Sequence, residues 1–428
     1  MWRPFVLALL IVGVVSRQSL ADSSPEGFPR FSWATLPVFW HAWGSEPFNA
    51  STLAFINRFP LVTIEKGMSG QTPPLHTGAE KKILAGARQV KEYNSTIKVL
   101  FYLNSQMDWK MYDLHQYCEQ HPQLMWLHDS RGQPVQIRDE NLFDLRNEAV
   151  HKVWLDVLRN ASRSGWIDGA FVDKGLDPIE RQPQFKYVDA SDFQAYLEGH
   201  RKLMNEINTT FGSNFLAVSN CKDYDAVNGR MFEKFFLDDT DRNTPYADIV
   251  TLQHESTFPH IAEVHAEPCN VTVFNTTLAA YLIGAGQYAY YGCTSGFSLE
   301  SGWLRWFPEY SKPLGAPLSV AKTISTATGF CKPSTMDEVS SYFIRNPFWE
   351  DLQEYAKTVG FKRHLLKKWI RQYREAGLSL HGDDGKQPVL GRRFQSGTCV
   401  TVDFNSWPPQ SCIAWADGTH TGSSRACL

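Results

Sequence analysis

The sequence is poor in net charge, in long apolar runs and in paired metal ligands. Of 428 residues, 42 are Lys or Arg and 45 are Asp or Glu, a net charge of −3. That balance argues against a nucleic-acid partner held by bulk electrostatics. Beyond the N-terminus no apolar run reaches the ~20 residues that a membrane span needs. There is no CxxC and no ligand-like spacing of His, so neither a zinc site, a redox motif nor the metal cluster of a phosphodiesterase or nuclease is expected. No cofactor is implied. Collagen and coiled-coil repeats are absent. What is present is the profile of a packed globular chain, 43% hydrophobic and 20% charged, with an unusual 14 Trp beside 16 Tyr and 27 Phe.

Residues 1–21 read as a secretory signal peptide. Arg3 gives a positive start, Phe5 to Val15 is a short apolar run, and Ser19-Leu20-Ala21 supplies small residues for cleavage. Cleavage after Ser16 fits as well. Asn-x-Ser/Thr sequons begin at Asn49, Asn94, Asn160, Asn208, Asn270 and Asn275. Together these predict a secreted, N-glycosylated protein with no membrane attachment once the signal peptide is removed. Eight cysteines in an oxidising compartment predict disulfides. Cys399 with Cys412 is the first expected pair, Cys269 with Cys293 the second.

From Trp33 to about Lys312, short apolar strands alternate with helical stretches. The expected strands are Leu36–His41, Leu61–Glu65, Lys98–Asn104, Gly169–Asp173, Phe215–Asn220, Asp248–Gln253 and Gln287–Tyr291, with an eighth after Trp303. They are apolar on both faces, as strands of a covered parallel sheet are. Helices are expected after Asn147, over Asp192–Ile207 and over Asn275–Ile283. A hairpin pairing Met125–Leu127 with Pro134–Ile137 should wall the site. The α/β class follows: a (β/α)8 TIM barrel with a small C-terminal β-rich tail, an open doubly wound sheet being the alternative. The expected organisation is 1–21 signal peptide, 22–325 barrel, 326–388 helical basic insertion and 389–428 tail. Lys362–Ala376 reads as an amphipathic basic helix, a solvated insertion or foreign coding sequence joined to this chain.

In a barrel, all C-terminal strand ends share one face, and that face holds the active site. Two carboxylates there can hydrolyse a glycosidic bond, one protonating the leaving oxygen and the other attacking carbon or activating water. Asp173 and Glu255 are the expected catalytic pair. Glu65, Trp40, Asn104, Lys174, Asn220 and Tyr290 are the expected substrate contacts. Asp144 and Arg146 read as braces for the loop, and Asp168 should lie on the opposite face. The pleat should split Tyr290 and Tyr291, one inward and one outward. Trp40, Trp43, Trp109, Trp303 and Trp306 are candidates to stack on sugar rings at the mouth.

The run Phe143-Asp144-Leu145-Arg146-Asn147-Glu148-Ala149-Val150, followed by Gly165-Trp166-Ile167-Asp168-Gly169-Ala170-Phe171-Val172-Asp173, resembles a signature of TIM-barrel glycosidase-like proteins that include the endo-α-1,4-polygalactosaminidases. The likeness covers roughly residues 33–320, with Tyr310 to Pro317 resembling the segment that closes the barrel. It implies catalytic acids at the ends of strands four and six, matched here to Asp173 and Glu255. It departs at Glu148, where Pro is frequent, and at Lys174, where Asn is common; Lys174 adds a positive charge beside a catalytic carboxylate. The resulting expectation is a secreted glycosidase acting on a poly- or oligosaccharide. A non-catalytic carbohydrate-binding protein on the same scaffold is the alternative.

Overall fold

A computed structural model describes residues 25–422 except 26, 45–46, 70–77, 175–184, 221–226, 238–242, 256–257, 325–329, 332–388 and 407. The expected signal peptide, the Lys362–Ala376 helix and almost all of the 326–388 insertion lie outside the described residues.

Eight strands run parallel in sequence order: β1 Phe39–Ala42, β2 Leu61–Ile64, β3 Lys98–Asn104, β4 Gly169–Asp173, β5 Leu216–Ser219, β6 Gly229–Glu233, β7 His260–His265 and β8 Ala289–Thr294. A parallel bridge from Val38 to Tyr291 joins the last strand to the first, so the sheet curls into a barrel. Helices α1 Ala50–Ile56, α2 Ala79–Tyr93, α3 Glu148–Arg163, α4 Ala190–Phe211, α5 Asn243–His254 and α6 Val271–Gly284 alternate with the strands. Nine residues, 220–228, connect β5 to β6. Among the described residues no helix is long and apolar enough to cross a membrane.

The helices start where side-chain oxygens replace missing backbone partners. Asn49 accepts from Thr52 N at the head of α1, Asn147 from Ala149 N at α3, and Asn270 from Val273 N at α6. The apolar stripe of α3, with Val150, Trp154 and Leu158, is fully buried against the sheet. Its Trp154 indole donates to the Asn104 carbonyl at 2.9 Å, which pins the helix to the end of β3.

Two expected strands need correction. Asp248–Gln253 is not a strand; it lies within α5, whose start at Asn243-Thr244-Pro245 carries a proline suited to a first helical turn. No strand follows Trp303 as the eighth of the barrel; that segment forms short 3-10 turns at Leu299–Ser301 and Pro308–Ser311. The missing strands are β6 and β7, Gly-Arg-Met-Phe-Glu and His-Ile-Ala-Glu-Val-His, whose charged and imidazole groups disguise them.

Between β3 and α3 a three-stranded antiparallel sheet, Met107–Asp108, Glu140–Leu142 and Gln136–Ile137, stands over the barrel. The expected hairpin is present as a His128 to Pro134 bridge, but Met125 closes a short helix, Pro122–Met125. A second antiparallel sheet, β9 Lys322–Ile324, β10 Val389–Arg393, β11 Cys399–Asp403, β12 Gln410–Ala414 and β13 His420–Gly422, packs on α6. The α6 residues Leu278, Leu282 and Ile283 are completely buried. The segment before this sheet is tied to the N-terminal strand region by Leu314 N to Ala34 O and Gly315 N to Trp33 O.

Cys269 and Cys293 are disulfide-bonded as expected. Cys399 instead bonds Cys331. The register of β11 on β12 sets Cys412 opposite Thr401, two residues away from Cys399. Cys118 is buried and unpaired.

Candidate active site

The C-terminal ends of the strands open on a cavity of about 450 Å³. Its centre is Asp173, the last residue of β4. The parallel register sets Asn104 of β3 beside it, and Tyr102, two residues earlier, shares the inward face. Both donate to Asp173 Oδ2, the Tyr102 hydroxyl at 2.5 Å and the Asn104 amide at 2.9 Å. Asp173 Oδ1 accepts from the Lys174 backbone N–H at 2.7 Å and from Asn220 Nδ2 at 2.8 Å. Burial opposes ionisation of Asp173. The charge of Lys66 and the hydrogen bonds from Tyr102 and Asn220 outweigh it and hold the carboxyl below its usual range.

The second acid is Glu233, the last residue of β6. It lines the same cavity and faces its solvent. Asn220 Nδ2 reaches Glu233 Oε2 at 3.0 Å while also reaching Asp173, so one amide bridges the two carboxyls. Both bonds meet at one nitrogen, so these carboxyl oxygens lie no more than about 5.8 Å apart. Surrounding protein raises the Glu233 pKa, and the negative charges of Asp173 and Glu263 raise it further. Glu263 is the register neighbour of Glu233 on β7 and is completely buried, bonded to His41 Nδ1 at 2.8 Å. Two carboxyls in one site thus have opposite tendencies, one to ionise and one to keep its proton.

A layer of polar groups fixes the Asp173 turn from behind. Ser105 Oγ donates to the Asp173 and Lys174 carbonyls, and Gln106 Nε2 donates to the Lys174 carbonyl. His200, on α4, contacts Ser105 Oγ at 2.8 Å, and burial pushes its pKa down to about 3, so it stays neutral. Lys174 itself sits at φ +60°, a left-handed backbone that turns the chain sharply after the acid.

Glu255 is not at this site. It follows α5 directly and precedes β7, at the opposite end of the barrel. There it bonds Arg230 at 2.8 Å and His260 at 3.0 Å, residues at the starts of β6 and β7. Burial raises its pKa, but the His260 hydrogen bond and the Arg230 charge prevail and keep it ionised. It is a structural ion pair. The false strand at 248–253 misplaced it. The signal that finds Glu233 is the one that finds Asp173, an acid closing a short strand, here obscured by Arg230 within that strand.

Of the expected substrate contacts, Glu65 and Lys174 line the cavity. Glu65 is held by Lys66 Nζ at 2.5 Å and Gly67 N at 3.1 Å, and Lys66 stacks over the rings of Tyr102 and Trp109. Asn104 and Asn220 position the carboxyls. Trp40 does not line the cavity: it is completely buried against Phe48 and Trp303, its indole bonded to the Trp303 carbonyl. Tyr290 is buried against Phe31, and Tyr291 packs outward on Phe274 and Tyr281 of α6. Of the five tryptophans considered for the mouth, Trp109 lines the cavity; Trp306 packs on Phe55 and Phe59 instead. Asp144 braces Arg146, and Asp168 binds Lys91 and Lys98 at the start of β4.

Residues 91–330, more than half of the sequence and including both carboxyls, match the model of hypothetical glycosyl hydrolase family 15. The chain belongs to that family. No curated protein sequence matches significantly. Similar solved structures include the galactosidase domain of the α-galactosidase-sucrose kinase AgaSK, at 14% identity and TM-score 0.46 over 92% of this chain and 52% of that one. The GH36 α-galactosidase AgaB from Geobacillus stearothermophilus is 13% identical, TM-score 0.43, over 90% and 50%. A noncanonic maltogenic α-amylase, AmyB from Thermotoga neapolitana, is 13% identical, TM-score 0.40, over 60% and 67%. The chain thus spans about half the length of these galactosidases.

Proposed function

We propose that this family member is a secreted glycosidase that hydrolyses O-glycosidic bonds in an oligo- or polysaccharide, with Asp173 as nucleophile and Glu233 as general acid/base. The observation that carries this reading is the Asn220 amide bonded to both carboxyls. A separation bounded at about 5.8 Å by that shared amide fits the ~5–5.5 Å of retaining enzymes better than the wider gap of inverting ones. The Asp173 carboxylate attacks the anomeric carbon while Glu233 gives its proton to the departing oxygen. Glu233, now ionised, then takes a proton from water, whose oxygen displaces Asp173 and frees the sugar. The motif likeness to polygalactosaminidases supports a glycan substrate, and the signal-peptide pattern, the sequons and the two disulfides support export.

The test is hydrolysis of a glycan panel by the purified protein, with product anomers followed by NMR. Asp173→Asn should abolish turnover with folding intact. Glu233→Gln should lower it by roughly 10²–10⁴-fold. Glu255→Gln should keep turnover while lowering thermal stability, because it leaves the Arg230 charge unpaired. The first product should retain its anomeric configuration. Glycan binding without turnover, unchanged by Asp173→Asn, would overturn the reading in favour of a carbohydrate-binding barrel.

A further inference from the structure

Three cationic side chains line the cavity: Lys66, Lys174 and Arg138. Lys66 is committed to Glu65 and to the faces of Tyr102 and Trp109. The other two are not committed. Among the described residues neither the Lys174 ammonium nor the Arg138 guanidinium has a hydrogen-bond or ion-pair partner. None of the cavity's three carboxyls bonds either cation, although the Lys174 charge helps to hold Asp173 ionised. Glu65 is taken by Lys66, Asp173 has four donors already, and Glu233 tends to remain protonated.

The backbone brings both cations to the cavity at a cost. Arg138 and Asp139 occupy the two-residue turn between Gln136–Ile137 and Glu140–Leu142, with φ of +53° and +63°. Such turns favour Asn-Gly, because side chains are strained at positive φ. Lys174 is in the same left-handed region. Two independent segments, the hairpin above the barrel and the end of β4, each hold a basic residue in an uncommon conformation with its side chain on the cavity wall. A neutral sugar has no use for either charge. A planar carboxylate matches the guanidinium fork, and a sulfate ester offers similar oxygens.

We propose that the substrate is an acidic glycan, its carboxylate or sulfate group held by Arg138 and Lys174 beside the bond that is cleaved. This rests on the glycosidase reading for the cleavage, but not for the binding. The test uses the full chain carrying Glu233→Gln, which slows turnover by roughly 10²–10⁴-fold without changing the charge of a protonated acid. Binding of a uronic-acid oligosaccharide, a sulfated oligosaccharide and a neutral one of matched length is measured by calorimetry. At least one acidic ligand should bind about tenfold or more tighter than the neutral one. Adding Arg138→Met should remove most of that excess and leave neutral binding within about threefold. Arg138→Gly, which relieves the left-handed strain, should do the same and guards against misfolding of the Met variant. Which acidic ligand gains tells carboxylate from sulfate. Equal binding of acidic and neutral ligands, or an acidic preference that survives both Arg138→Met and Lys174→Met, would overturn the inference. Acid-selective binding with no hydrolysis by the unmodified protein would sink the glycosidase reading alone. Hydrolysis of neutral and acidic glycans alike would sink this inference alone.

Discussion

At the scale of the residue, the site works by dividing two like groups. Asp173 receives four hydrogen bonds and the field of Lys66; Glu233 receives one shared amide and the repulsion of Asp173 and Glu263. The pH profile of kcat/KM should therefore be bell-shaped. Its acid limb, where Asp173 takes up a proton, falls below the ordinary carboxyl range. Its alkaline limb, where Glu233 loses the proton it must donate, falls above that range. Removing the Asp173 charge removes one cause of the raised value. Carbon-13 NMR of Asp173→Asn should show Glu233 titrating at lower pH than in the unmodified protein, and an unchanged or higher midpoint would contradict the coupling. Asp173 itself was legible in the sequence because an apolar strand runs straight into it. Glu233 was not, because its five-residue strand contains an arginine, Arg230, that pairs with Glu255 at the far end of the barrel.

At the scale of the element, most of the alternation could be read from the sequence. Lys98–Asn104 and Gly169–Asp173 are apolar between their ends and match their observed bounds. The failures share one cause. Ile249, Val250 and Leu252 imitate a strand because α5 is buried on every side over 245–253, which hides the helical period, whereas β7 carries a His and a Glu into the barrel interior. Interior polar groups are a functional expense that pattern reading takes for a loop. The junction of α6 with the tail sheet offers a direct test of element packing. The Arg392 guanidinium donates to the carbonyls of Leu282, Ile283 and Ala285, closing the end of the helix, and burial lowers its pKa to about 10. Arg392→Met should cost about 3 kcal/mol, by leaving buried carbonyls without donors. Urea unfolding at neutral pH measures this. Arg392→Lys should recover part of it, since all three carbonyls gather on one guanidinium nitrogen while Nε separately serves the Ser319 carbonyl, a division that a single ammonium cannot reproduce.

At the scale of the whole molecule, one barrel carries the chemistry and the tail sheet covers one of its helices. The sequence indicated this class, but not that Lys322–Ile324 would join the tail sheet. That short strand has no identity until Val389–Arg393 lies beside it. Cross-linking reinforces the closure. The Cys269–Cys293 bond ties the entrance of α6 to β8, the strand that meets β1, and spans 24 residues of sequence. In a chain-entropy account a loop of that size contributes roughly 3 kcal/mol. The double variant Cys269→Ser/Cys293→Ser should lose about that much stability by denaturant unfolding. Turnover per folded molecule should be unchanged, because neither sulfur lines the cavity.

The asparagine caps have a practical consequence for any experiment that tests whether the sequons are glycosylated. Asn49 and Asn270 each begin an Asn-x-Ser/Thr sequon and also start α1 and α6. An N-linked chain is attached through the amide nitrogen, whereas each cap uses the amide oxygen, so one side chain can serve both purposes. The customary Asn→Gln replacement would therefore change two things at once. It would strip the sugar and also spoil the helix start, a loss of about 1 kcal/mol that could pass for a benefit of the glycan. Ser51→Ala and Thr272→Ala erase the acceptor sequences while leaving both cap oxygens in place, and separate the two effects.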